Sequence, residues 1–223
     1  MEKVSSQNKY INKEKEDSKY LKAIENYKYS QNSKVEKFKN LDEWLEKESY
    51  LYKKEVKDKR SRYIHLKRGT IIKVDFGINL GSELCHIHFA IVLSKYDNIK
   101  QDTITVIPLT SKSGVGRVPL NNLIKSELLN YIKKKELLDD NKAEITKILN
   151  EYKKYKEFSY AYISQITTIS KSRLIYSKNK FDIINKVRCS REILNKIDDA
   201  VIENITGKNI IKLVEKEEFL IKS

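Results

Sequence analysis

TIIKVDF, residues 70–76, is the stretch on which the fold turns. Ile72, Val74 and Phe76 alternate with Lys73 and Asp75, which is the two-residue period of a strand with one face buried. IHFAIVLS (87–94) and TITVIPLT (103–110) follow as two more strands. Their unbroken apolar character predicts burial on both faces. The segment between them, KYDNIKQD (95–102), is polar and of hairpin-loop length or a little longer. Five of the six glycines lie between positions 69 and 116, and the two prolines, Pro108 and Pro119, lie in or just past that window. This punctuation marks a turn-rich β region. SGVGRVPL (113–120) reads as a loop or an edge strand, because Pro119 cannot donate to a ladder.

Outward from this centre the period becomes helical. Residues 1–65 are polar, with Lys and Tyr interleaved. Tyr20, Leu21, Ile24 and Tyr27 fall at helical spacing, as do Leu41, Trp44, Leu45, Leu51 and Tyr52. Asn40 and Glu43 have the spacing of a capping box. Two or three helices with a thin apolar stripe are expected, with residues 1–15 disordered. Residues 122–157 read as an inserted αα-hairpin. One stripe is Ile124, Leu128, Tyr131, Ile132 and Leu138, and the other is Ile145, Ile148, Leu149 and Tyr152. LDDN (138–141) is the turn between them, with Asn141 and Glu144 as a capping pair. YAYISQI (160–166) returns to strand. Ser190 caps a last helix, 190–206, that Gly207 stops.

The expected fold class is therefore α+β, a small twisted β-barrel with added helices. A helical N-terminal extension spans 1–65 and the barrel domain spans 66–207. The hairpin 122–157 and the C-terminal helix belong to the barrel domain, and a tail covers 208–223.

The chain of 223 residues carries 45 Lys+Arg against 31 Asp+Glu, a formal net charge of +14. Such a surplus attracts polyanions, chiefly nucleic acid, although a solvated Lys-rich surface has the same composition. Cys85 and Cys189 have no disulfide-scaffold or zinc spacing, so reduced thiols are expected. No signal-peptide core opens the sequence. The longest apolar run, Phe89–Leu93, is far below the about 18–20 residues that span a bilayer. A soluble, cytoplasmic protein is the expectation, without membrane partners.

GSELCHIHFAIVLSK (81–95) gathers Cys85, His86 and His88 where a strand begins. Three ligands this close rarely complete a tetrahedron without a distant fourth, so neither metal nor cofactor is expected. A lone His on an apolar strand also fits as a satisfied core residue. SGVGR lacks the GK[ST] of a phosphate loop. The Lys–Tyr alternation at 9–29 and 50–63 suits base stacking with phosphate contacts, and equally an amphipathic helix with snorkelling lysines.

RGTIIKVDFG (68–77), GSE (81–83), AIVLSKYDN (90–98), VIPLTS (106–111) and SQITTISKSRL (164–174) occur in the order and approximate spacing of the MazF/PemK/Kid toxins of type II toxin–antitoxin modules, which the chain resembles over about 68–120 and 159–206. The resemblance implies an SH3-like barrel, a homodimer and metal-independent cleavage of single-stranded RNA. It also implies inhibition by an antitoxin lying over the RNA groove. Two departures stand out. The family's Gly-x-Arg-Pro falls on HIHF, so His88 stands at the catalytic Arg and Phe89 at the Pro. The usual RTID reads Thr167-Thr168-Ile169-Ser170. The family's catalytic Thr corresponds to Thr110.

Metal-free RNA cleavage uses the 2′-OH as nucleophile and needs an acid, a base and donors for the phosphorane. His88 is the expected general acid or base, and Thr110 offers a hydroxyl to the scissile phosphate. Ser82, Glu83, His86, Ser111 and Gln165 are the expected substrate contacts, with backbone amides near Gly81. Two other classes fit the sequence: a non-enzymatic toxin of the related CcdB kind, which poisons gyrase, and a nucleic-acid-binding module with a decayed site.

Overall fold

The computed structural model describes residues 2–57, 62–136, 141–156 and 158–208, with side chains described for all of these except 2–16 and 136. The expected turn at 138–141 falls largely outside the described residues, as do Leu138 and most of the tail. The described residues fall into two units, one drawn from 1–59 with 77–85 and the other from 60–76 with 86–208.

The first unit holds α1 (Glu2–Gln31) and α2 (Leu41–Lys57), joined through a 3-10 turn at Glu36–Phe38, so that residues 2–15, expected to be disordered, are helical instead. Leu41 and Trp44 are buried, whereas Tyr20, Leu21, Ile24 and Tyr27 of α1 are exposed. The Gly77–Cys85 turn belongs to this unit. Lys37 Nζ donates to the carbonyls of Asn79 (3.0 Å) and Gly81 (2.8 Å). Gly77 has φ +79°, and a Cβ there would lie 2.2 Å from Trp44 Cζ2. Glycine is therefore required twice, by backbone conformation and by the close approach of the indole.

The second unit carries an antiparallel sheet of six strands: β1 (Ile71–Asp75), β2 (Ile87–Val92), β3 (Thr103–Thr110), β4 (Arg117–Pro119), β5 (Tyr160–Tyr162) and β6 (Thr167–Ser170). The order is β1-β2-β3-β5-β4, with β6 also on β3. β4 is an edge strand, where Pro119 is tolerated. Register puts Ile72, Val74, Ala90, Val92, Ile104, Val106 and Ile169 on one face, all buried. The other face, with Ile71, Phe89, Ile91, Ile107 and Leu109, packs against α3 (Leu123–Glu136), α4 (Lys142–Tyr152), α5 (Arg191–Thr206) and the 181–189 segment as one core. The continuous apolar runs of β2 and β3 are thus covered on both sides, as their composition predicts.

Three further expectations are corrected. β1 is not half-buried: Ile71 and Asp75 are buried along with Ile72 and Val74. Ile71 packs into the core shared with α3, α4, α5 and the 181–189 segment, and the chain also runs along the free edge of the strand. Ile71 N–H donates to Val187 O (2.9 Å), and its own carbonyl accepts from Asn185 N–H (2.9 Å). Val74 bridges to Leu174, and Ile175 N–H donates to Lys73 O (2.8 Å). Residues 160–166 are not one strand. A 3-10 turn at Ile163–Gln165 separates β5 from β6. Thr105 O accepts from Leu93 N–H, so the odd residues of β3 present their backbone to β2. The missing N–H of Pro108 then falls on the β5–β6 side, where the ladder breaks. Asn141 holds the N-cap position of α4 but makes no side-chain cap.

The last helix begins and ends as its caps dictate. Ser190 Oγ accepts from Ile193 N–H (3.3 Å), and Gly207 closes the helix at φ 67°. The guanidinium of Arg68, just ahead of β1, pairs with Asp198 of α5.

Candidate functional site

The continuation of the β2–β3 register past Ala90↔Pro108 sets His88 across from Thr110, but the strands part before they pair there. Leu109 and Thr110 turn to β5 instead, opposite Ala161 and Tyr160. The parting opens a cleft of about 280 Å³. His88, Thr110 and Ser111 line it, together with Lys73, Phe89, Lys154, Tyr155, Lys156 and Phe158.

His88 Nδ1 lies 3.1 Å from the Leu109 carbonyl oxygen. A carbonyl oxygen only accepts, so Nδ1 carries a proton and donates it. In the neutral ring Nε2 is then the basic nitrogen. The bond ties the imidazole of β2 to β3 where the ladder has ended. The Phe76 ring meets the imidazole edge-on, with centroids 6.4 Å apart. Thr110 Oγ1 accepts from Lys112 N–H (3.2 Å), which leaves its hydroxyl hydrogen to be donated.

Of the other residues singled out in the sequence, Ser111 lies on the cleft. His86 is exposed at φ 67°, and its carbonyl accepts from Phe76 N–H (3.0 Å). Gln165 ends the 3-10 turn between β5 and β6. Neither lines the cleft. Ser82 and Glu83 are exposed on the Gly77–Cys85 turn and belong to the first unit. Among the described residues no three His, Cys, Asp or Glu side chains come together as metal ligands. No helix among them is long and apolar enough to cross a membrane.

The sequence reading missed the cationic and aromatic half of the cleft. Lys73 is the charged residue in the middle of β1. Lys154, Tyr155 and Phe158 follow directly on α4, where KKYKEF (153–158) repeats the Lys–Tyr pattern noticed only in the N-terminal region. Lys73 Nζ and Lys154 Nζ lie 5.6 Å and 5.4 Å from the Tyr155 ring centroid. Tyr155 packs edge-on against Phe89 (4.8 Å) and Tyr152 (5.4 Å). Tyr152 in turn donates to Asp182 Oδ1 (2.6 Å), and burial, with that bond, raises its phenol far above the usual range. The platform beneath the two lysines is therefore fixed from within the core.

No curated protein matches the chain. Residues 67–205, well over half of it, match the family model described as PemK-like, MazF-like toxin of type II toxin-antitoxin system. The matched span runs from the residues that enter β1 to the end of α5 and includes the whole sheet and the cleft. The chain therefore belongs to the PemK-like, MazF-like toxin family of type II toxin–antitoxin systems.

Proposed function

We propose that this toxin is an endoribonuclease that cuts single-stranded RNA without a metal ion. The observation that carries the reading is the meeting of His88, from β2, and Thr110, from the end of β3, on one cleft. In the step we envisage, Nε2 of His88 takes the proton of a ribose 2′-OH. The 2′ oxygen attacks the adjacent phosphorus, and the bond from phosphorus to the 5′ oxygen breaks. The leaving oxygen takes up a proton from solvent water, and the hydroxide so formed is neutralised by the proton held on His88, so the products are a 2′,3′-cyclic phosphate and a 5′-hydroxyl. The Thr110 hydroxyl donates to a non-bridging oxygen as charge builds there. DNA lacks the attacking hydroxyl and is left intact.

The return of Leu174 and Ile175 to the free edge of β1 supports reading the sheet as an SH3-like barrel. A homodimer and an antitoxin that covers the cleft complete the proposal. Purified protein on mixed RNA, with and without EDTA, tests it. Cutting that survives the chelator and leaves cyclic-phosphate ends is the expected result. RNA cut only after a divalent metal is added, or gyrase–DNA breaks in place of mRNA loss in cells, would count against it.

A further inference from the structure

The cleft has a wall that the proposed chemistry does not use. Lys73 and Lys154 hold their ammonium groups over one ring, Tyr155. No carboxylate among the described residues forms an ion pair with either lysine. Tyr155 is itself braced by Phe89 and Tyr152, so the ring is a support rather than a mobile partner. Phe158 lies beside them, 56% exposed, on the same cleft. An exposed aromatic face next to two cations that no carboxylate among the described residues pairs is the chemistry of a single-stranded nucleic acid site: bases stack on the ring and phosphates pair with the ammonium groups.

We propose that Lys73, Lys154 and Phe158 form the substrate-holding wall of the cleft, with Tyr155 positioning the two lysines. One base of the RNA stacks on Phe158, and two backbone phosphates pair with Lys73 and Lys154. The inserted hairpin thereby places its C-terminal end in the service of the strands it interrupts. This rests on the ribonuclease reading, and it adds which residues hold the strand. The competing account has both lysines merely covering aromatic surface with their stems, with no role toward RNA.

The test separates holding from cutting. A fluorescent single-stranded oligonucleotide of 2′-O-methyl nucleotides has no attacking hydroxyl, so its affinity reports binding alone. Anisotropy across a salt series is measured for the full chain and for Phe158→Ala, Lys73→Gln, Lys154→Gln and Lys154→Arg. Cutting of ordinary RNA and circular dichroism are followed in parallel. Phe158→Ala is expected to weaken binding at least about fivefold. Each Lys→Gln change is expected to lower the slope of log affinity against log salt by about 0.7, the value for one phosphate of a single strand, while Lys154→Arg keeps it. If the unaltered protein binds and cuts while all the variants bind with its affinity and slope, the wall is refuted and the ribonuclease reading stands. If the unaltered protein neither binds nor cuts any RNA, both fall.

Discussion

Two settings for a lysine lie at opposite ends of β3. At its start, Lys171 N–H donates to Asp102 O (2.7 Å), and the Lys171 ammonium is enclosed. That group donates to Asp97 Oδ1 (2.5 Å), Ile64 O (3.1 Å) and Asn98 O (3.2 Å), with the two charged side chains 0% and 1% exposed. At its end, beyond Thr110, Lys73 and Lys154 lie over Tyr155 in an open cleft. The first charge is matched donor by acceptor and pins the 95–102 loop to the chain that follows β6. The second pair meets no carboxylate among the described residues and lies against a ring quadrupole, a weak attraction that a phosphate readily outcompetes. Residue type is the same at both ends. The partner decides whether the charge maintains the fold or meets a ligand.

The comparison breaks most visibly at Asp97. Asp97→Ala leaves a buried ammonium without its carboxylate and is expected to cost about 3–5 kcal/mol in urea unfolding. Replacing both partners with apolar residues, Asp97→Leu with Lys171→Met, is expected to recover most of that loss. A single change that leaves the unfolding midpoint in place would contradict the structural role. Lys154→Gln is the counterpart and is expected to stay within about 0.5 kcal/mol of the parent, with its effect on RNA alone.

A neutral group extends the contrast. Burial pushes the Cys189 thiol from its ordinary 9.0 up to about 11. An unfolded chain gives up that proton first, so between pH 9 and 11 the unfolded state binds fewer protons and stability falls as pH rises. The loss attributable to this thiol is about 2 kcal/mol, and Cys189→Ala is expected to remove it. Unfolding of both proteins at pH 8 and pH 10.5 checks the difference. At the cleft end, His88→Arg replaces the proposed base with a permanent cation that cannot take a proton near neutrality. It is expected to lose cutting by about 10²–10⁴-fold, as removal of a general base does. Cutting at the parent rate would mean that the imidazole is not the base in the reaction.

Much of this was legible in the sequence. The alternation at 70–76, the apolar runs at 87–94 and 103–110 and the Ser190 and Gly207 caps are local signals, and the elements follow them. The convergence of His88 and Thr110 came from the family resemblance. What escaped acts through space or through a neighbouring strand. Asp97 lies in a polar loop and reads as solvated until Lys171 arrives from the far side of β6. Asp75 reads as outward on a half-buried strand, yet it is buried. Pro108 sits comfortably in its own strand, and its missing N–H shows only as the break between β5 and β6. Lys73 and Tyr155 are far apart in sequence, and no periodicity connects them.

The imidazole at the parting of β2 and β3 is the centre of the account, and removing it is the most direct test. Purified His88→Ala and the unaltered protein are compared on the same RNA in EDTA, with circular dichroism to confirm equal folding. The account predicts a loss of cutting of about 10²–10⁴-fold, the usual range for a general acid or base. Equal cutting by the two proteins would contradict it.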